Sequence, residues 1–521
     1  MWGWRSSRTV VIGLAAGLFV VSCVLPLASF LMTSLRGATT AFALDARQWG
    51  LLVNTAGLGV GTAVLATAIG APLGLLLARA SLPYKALLRL GLAAPLLLPP
   101  YVVALAWTYL GSNRGLWATV AGYDALAAWT YSLPAAVLVL GLVLYPLSML
   151  ATEVALRRID GRLEEAALMV AGPRGVFWRI TVPLVAPGIM AAALVVFVLA
   201  VSEFGVPGVL RVRVYTTEIF TAFAALYDPG RAALLAMPLL ALCLAVAIAA
   251  VALLGDRFVT ARRGAGTPSA LQLERSPAVL AGITMVLVTA LGLPIAVLAR
   301  EALTSRSIVA VIGGSGEAIA NSVRLATFGA SAVVGIALWL GYARARASGR
   351  VGRLADIGLV VLFAVPGSLV GVGLIDVWNR PGPLGRVYGT DTMLVLAYLA
   401  RLLPVAVLAL AASGRTVPMS HEEAAAVGGA GWLRTVWRIV IPQMRLGLVA
   451  AWLIAFVLAF GELGVSILVA PPGETTLPIR IYTIIANAPS SSVAVLALLQ
   501  ASMILAPLLV LGAILAHRDV P

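Results

Sequence analysis

Charge, sulfur and imidazole are scarce in this chain. Of its 521 residues 11% are charged and 61% hydrophobic, with two cysteines, two histidines and a single lysine, Lys85. So few polar groups cannot cover the surface of a water-soluble domain of this length. Two cysteines exclude a disulfide scaffold or a thiolate metal cluster, and both Cys23 and Cys243 fall inside apolar runs, where a small buried residue is ordinary. His421 and His517 are too far apart in sequence to form a metal-binding pair motif. The lysine sits in SLPYKALL, without the preceding glycine that a phosphate-cradling loop requires. No cofactor site is visible in this chain, metal ligands are unassigned, and the residues offer no catalytic constellation.

What is abundant is apolar length. A membrane helix needs about 20 apolar residues, and candidates lie near 9–32, 51–78, 91–111, 131–151, 187–207 and 232–254, then 278–299, 322–343, 355–376, 392–413, 447–466 and 490–515. The expected fold is an all-α integral membrane protein of about 12 transmembrane helices. Arg5 and Arg8 precede the first run, which is long and lacks a small-x-small cleavage site, so it is expected to be retained as an anchor. The bias of arginine toward one set of loops places both termini in the cytoplasm. The net charge of +15 is dispersed over loop ends; anchoring and contact with anionic lipid explain it, and nucleic acid is not expected.

The runs come as six and six because the sequence is doubled. EEAALMVAGPRGVFWRITVP at 164–183 returns as EEAAAVGGAGWLRTVWRIVIP at 422–442, and FVLAVSEFGV at 197–206 as FVLAFGELGV at 456–465, which aligns Glu203 with Glu462. Asn54-Thr55 answers Asn321-Ser322, Pro100-Tyr101 answers Pro366-Gly367, and Pro134 is paired with Pro404, which sets Tyr131 opposite Arg401. Six spans between equivalent points make the repeats parallel, related by an axis along the membrane normal. The expected division is a first half at 1–254, a hydrophilic cytoplasmic linker at 255–276 and a second half at 277–521.

Each long repeated segment lies between two spans on the expected inner side, so its apolar residues have protein to pack against and no lipid core to enter. Glu-Glu-Ala-Ala favours a helix and presents small side chains that let another surface approach. Gly172-Pro173 in one copy and Gly428-Gly429 with Gly431 in the other stop that helix. Trp178 and Trp437 begin a second short helix suited to the headgroup boundary, and Pro183 and Pro442 then redirect the chain. A connector appearing once could be simply amphipathic; the same polar pattern at matched positions in two halves points to docking.

These two segments resemble the EAA loops of binding-protein-dependent ABC importer permeases, and the fused twelve-span layout resembles their ferric-iron members. The resemblance implies a type I importer-like fold in a bacterial cytoplasmic (inner) membrane, an ATP-binding subunit homodimer docked on the cytoplasmic side, and a periplasmic or surface solute-binding protein. It assigns docking to Glu165, Ala166, Ala167 and Gly172 in the first copy and to Glu423, Ala424, Ala425 and Gly429 in the second. The first turn is one residue shorter, which leaves the register of Gly172 open and implies unequal contacts. His421 adjoins the second loop and either tunes docking with pH or is simply solvated.

Within the spans the polar groups are Asn54, Asn321, Arg401, Glu203 and Glu462. Ionisable groups at membrane depth face protein or an aqueous path. The asparagines suit caps or helix cross-links, and Arg401 suits a carboxylate partner. Glu203 and Glu462 are candidates for the translocation path, where a hard cation would favour their oxygens, or for a helix-stabilising polar network. Resemblance implies ferric iron as cargo, with thiamine, polyamine or aminophosphonate as alternatives on the same scaffold, and an ion-coupled secondary transporter as the alternative class.

Overall fold

The structure is a computed structural model that describes residues 2–37, 45–112, 128–260 and 277–516. Residues 261–276 of the expected linker, together with His517 and Arg518, lie outside the described residues. Helices joined by turns account for the architecture: α1 (2–37), α2 (Ala46–Arg79), α3 (Lys85–Ala93), α4 (Pro100–Leu110), α5 (Leu133–Arg157), α6 (Gly161–Leu168), α7 (Pro173–Ser202), α8 (Gly205–Val209), α9 (Tyr215–Phe220) and α10 (Pro229–Thr260). After the linker come α11 (Pro277–Ala302), α12 (Gly316–Arg346), α13 (Gly349–Ala364), α14 (Gly367–Trp378), α15 (Asp391–Gly414), α16 (Met419–Val427), α17 (Trp432–Gln443), α18 (Arg445–Gly461), α19 (Ser466–Val469), α20 (Leu477–Ile484) and α21 (Ser490–Ala516). Among the described residues 9 helices are long and apolar enough to cross a membrane, and up to 12 if each of three bent pairs is one span.

Proline decides where those helices pass through and where they turn. Its ring displaces the carbonyl four residues back and it has no N–H to donate. At Pro26, Pro183, Pro294 and Pro442 the helix widens into a π turn immediately upstream, at Val20–Val24, Phe177–Thr181, Val288–Gly292 and Val436–Val440. In each case the N–H of the residue just before the proline reaches back five residues to the first carbonyl of the wide turn. The helix thus carries on past a residue that would otherwise break it. At Pro99 and Pro366 the other outcome holds: Leu98 and Val365 go extended, as a residue before proline prefers. The chain turns by 88° between the helical segment ending at Leu97 and α4, and by 93° between α13 and α14. The third and ninth apolar runs are therefore broken helices.

The freed carbonyls at these breaks are met by side chains from the neighbouring span. Tyr145 Oη of α5 donates to Leu92 O near the end of α3 at 2.7 Å, and Arg401 Nη1 of α15 donates to Val365 O at 2.8 Å. Arg401 was expected to pair with a carboxylate; the bond shown goes to backbone. Its register also differs from expectation. Pro146 and Pro404 lie inside α5 and α15 at the same spacing ahead of the repeated glutamates Glu164 and Glu422, whereas Pro134 sits in the first turn of α5. Val143, not Tyr131, is thus the counterpart of Arg401.

The compact units cut across the repeat. In one, α12 packs along α15 and α18, and α1 lies against α12, α14 and α17. In the other, α2 packs along α5 and α7, while α11 lies against α4 and α21. The first helix of the chain thus joins elements of the second repeat, and α11 and α21 join elements of the first. Cys23 and Cys243 are buried and unpaired by disulfides.

Close backbone approach sets the α2–α5 contact. A Cβ on Gly70 would lie 2.4 Å from Tyr145 O, and one on Gly74 2.3 Å from Met149 O. Small residues four apart let two membrane helices meet at their backbones, where association relies on van der Waals fit. Gly74→Val is expected to lower stability by about 1–3 kcal/mol through overpacking, read as a fall in melting temperature in detergent, while Gly13→Val, at a site with no neighbour within 4 Å, should leave it unchanged.

Candidate functional site

The repeated segments fold from local signals. Asp160 caps α6 by accepting a hydrogen bond from Arg162 N at 3.1 Å, and Pro418 precedes α16. α16 ends on Gly429, whose φ of +79° lies in the left-handed region, with Ala430 N donating to Ala425 O at 2.9 Å; this is a glycine-terminated helix end. Gly172 does something else. Its φ of −69° and ψ of 163° are extended, and it stands directly ahead of α7, as Gly431, at −68° and 156°, stands ahead of α17. The open register is thereby resolved: Gly172 matches Gly431, and the first copy reaches its turn without a counterpart of Gly429.

The second helix of the motif also differs between copies. In the first, residues 173–202 are a single helix, so Pro183 does not redirect the chain. In the second, α17 and α18 are bent by 75°, with Met444 between them just past Pro442.

The two glutamates of each Glu-Glu pair part company. Glu165 and Glu423 point to the surface beside exposed Ala166 and Ala424 and half-buried Ala167 and Ala425. Around them stand large apolar side chains with no cover: Met169 is 85% exposed, Val170 89% and Val427 91%. Trp178 and Trp437 are exposed as well. Apolar groups grouped on a surface mark an interaction site.

Glu164 and Glu422 are buried, and sequence reasoning passed over both. Glu164 Oε1 accepts from Arg79 Nη2 at 2.9 Å and from Thr181 Oγ1 at 2.7 Å. Glu422 Oε1 accepts from Arg346 Nε at 2.8 Å and also from its Nη2. Arg79 and Arg346 are the final residues of α2 and α12, so the pair recurs at equivalent places. Glu422 is held further: Tyr342 Oη donates to its Oε2 at 2.7 Å, and buried Trp432 donates from Nε1 to Tyr342 Oη at 3.2 Å. A buried ion pair stripped of one partner leaves an uncompensated charge, at a cost of about 3–5 kcal/mol. The available signal was an arginine at equal distance past Asn54 and Asn321 in both halves. His421, exposed, lies 3.2 Å through Nδ1 from Gln443 Oε1.

At the opposite ends of the same spans, hydroxyls on α2 and α12 receive the starts of later helices. Thr55 Oγ1 accepts from Tyr215 N at 3.1 Å, and Ser322 Oγ accepts from Leu477 N at 2.6 Å. Asn54 Nδ2 donates to Arg213 O ahead of α9, an expected cross-link, whereas Asn321 Oδ1 accepts from Arg324 of its own helix. Arg324 also serves Asp391 at 2.6 Å and Glu474 at 3.6 Å. Pairing with the Asp391 carboxyl, then burial, hold the Glu474 carboxyl above the usual carboxylate range.

Glu203 and Glu462 occupy matched, half-buried places just past the ends of α7 and α18. Glu203 Oε1 accepts from Gly205 N at 2.8 Å and Glu462 Oε1 from Val465 N at 3.0 Å, and Thr216 Oγ1 donates to Glu203 O at 2.9 Å. Each carboxylate therefore tethers the backbone where the helix stops and a short one begins. Among the described residues no three His, Cys, Asp or Glu side chains group as a metal site.

Residues 70–261 and 333–518 match the family described as the binding-protein-dependent transport system inner membrane component, once in each repeat. The chain is 24% identical to the Fe(3+)-transport system permease protein FbpB 2 of Haemophilus influenzae over 83% of each chain. It is 25% identical to the ferric transport system permease protein FbpB of Actinobacillus pleuropneumoniae, over 70% of this chain and 56% of that one. It is also 36% identical to the molybdenum transport system permease protein ModB of Escherichia coli, over 27% of this chain and 64% of that one.

The tethering role of Glu203 and Glu462 is tested by comparing amide and methyl replacements. Glu203→Gln and Glu462→Gln keep an acceptor oxygen and should retain wild-type melting behaviour, whereas Glu203→Ala and Glu462→Ala should each lose about 1–2 kcal/mol, as helix-cap removals do, in detergent unfolding.

Proposed function

Because the chain belongs to the family of inner membrane components of binding-protein-dependent transport systems, we propose that it is the two-half permease of an ATP-driven importer of ferric iron. The observation that carries the reading is the duplicated, surface-exposed helix bearing Glu165-Ala166-Ala167 and Glu423-Ala424-Ala425, flanked by uncovered Met169, Val170 and Val427. A short helix with small residues, one carboxylate and apolar shoulders fits a groove on another protein, and two copies fit two subunits of one kind. We assign that partner as a homodimeric ATP-binding subunit on the cytoplasmic side, carrying ATP and Mg. The opposite side would receive a periplasmic or surface solute-binding protein, and both termini would lie in the cytoplasm of a bacterium.

Cargo rests on the two ferric relatives, which extend along most of this chain. Matched half-buried carboxylates at Glu203 and Glu462 support passage of a hard cation, since such ions favour oxygen ligands. In this reading partner closure pulls α6 and α16 together with their spans, and the path opens alternately to either side.

Purification from membranes should bring down the ATPase, and vesicles holding permease, ATPase and binding protein should take up ferric iron with ATP. Glu165→Arg and Glu423→Arg should each weaken ATPase binding, by about 2–5 kcal/mol where the contact is desolvated, and unequally because the two turns differ. Uptake of molybdate or thiamine in place of iron would reject the cargo, and wild-type ATPase binding in both variants would reject the docking surface.

A further inference from the structure

We infer that Arg79–Glu164 and Arg346–Glu422 are positioning pairs that lock each docking helix to the second span of its half, so that a pull on the helix moves the span as one body. The inference rests on the transport-subunit reading and goes beyond it by naming the joint that transmits the motion.

Three features support a joint instead of an incidental contact. First, both glutamates sit in the first turn of α6 or α16, and both arginines are the last helical residue of α2 or α12. The ion pair thus spans the loop-rich stretch where helix and span would otherwise move separately. Second, side-chain exposure is 8% and 0% in the first pair and 8% and 7% in the second. Water is excluded, and an interaction of opposite charges is stronger and stiffer there than on a surface. Third, neighbouring glutamates do opposite things: Glu165 and Glu423 face outward, while Glu164 and Glu422 face their own spans. One residue offers the contact and the next secures the lever.

The two joints differ in reinforcement. Glu164 also accepts from Thr181 of the π turn in α7. Glu422 is backed by the Tyr342–Trp432 chain, with the Arg346 guanidinium 5.8 Å from the centre of the Tyr342 ring.

Spin labels can read each joint without reference to cargo. Exposed Ser81 and Arg162 flank the first, and exposed Ser348 and Ser420 flank the second; buried Cys23 and Cys243 leave introduced cysteines as the reactive ones. In vesicles containing the permease–ATPase complex, the dipolar broadening between Ser81→Cys and Arg162→Cys labels, and between Ser348→Cys and Ser420→Cys labels, is compared without nucleotide and with ATP and vanadate. With the native pairs intact, each distance distribution should stay narrow in both states. Glu164→Gln and Glu422→Gln should still assemble with ATPase, yet widen at least twofold with ATP and vanadate. The exchanged pair Arg79→Glu with Glu164→Arg should restore the narrow distribution. Unchanged widths in both Gln variants overturn the inference, as does a native joint that loosens with nucleotide. Failure of both Gln variants to assemble would mark the pairs as folding contacts and overturn it as well. If no ATPase accompanies the wild-type chain, the transport-subunit reading falls, and this inference with it.

Discussion

Inside a lipid bilayer a backbone N–H or C=O has no water to turn to, so every departure from regular helix must find its partner within the protein. That requirement organises most of what is unusual here. Four prolines are passed by widening the turn ahead of them, so that an i→i−5 bond takes the place of the missing one. Two proline sites turn the chain instead, and there Tyr145 and Arg401 donate to the carbonyls near the breaks. Glu203 and Glu462 do the same for N–H groups past the ends of α7 and α18. An arginine or a glutamate at membrane depth is expensive unless it is satisfied, and each of these has backbone to satisfy.

The same economy of polar groups separates the two ends of the long spans. At one end, Thr55 and Ser322 accept N–H groups from the starts of later helices. At the other, Arg79 and Arg346 close ion pairs with the docking helices. Between them, α2 and α5 touch through Gly70 and Gly74 at backbone distance. A span fixed at its middle by steric fit and at its ends by hydrogen bonds behaves as a stiff rod. The two halves reach this result by different means: a threonine reinforces the first glutamate and a tyrosine–tryptophan chain the second.

Much of this was legible from residues alone. Apolar run length located the spans, and duplicated polar segments gave the repeat and its short helices, because hydropathy and helix-forming composition are local properties. Three readings changed on contact with the fold. Pro183 was read as redirecting the chain, although a π turn lets the helix pass. Pro134 was paired with Pro404 on residue identity, although Pro146 holds the equivalent place in its helix. The register of Gly172 was left open beside Gly429, and their backbone angles place them in different parts of the turn.

By itself the sequence determined the membrane as solvent, the doubled six-span plan and the exposed Glu-Ala-Ala faces, all of which follow from composition and short-range pattern. Tertiary structure alone decided which helix packs with which, so that α1 lies among elements of the second repeat while α11 and α21 lie among those of the first. It alone decided, too, that of two adjacent glutamates one faces outward and the other is buried. Consecutive helical residues point about 100° apart, so a neighbouring surface must be in place before either direction means solvent or core. The arginines that fill the buried side come from residues far away in sequence, and no local pattern could have paired them.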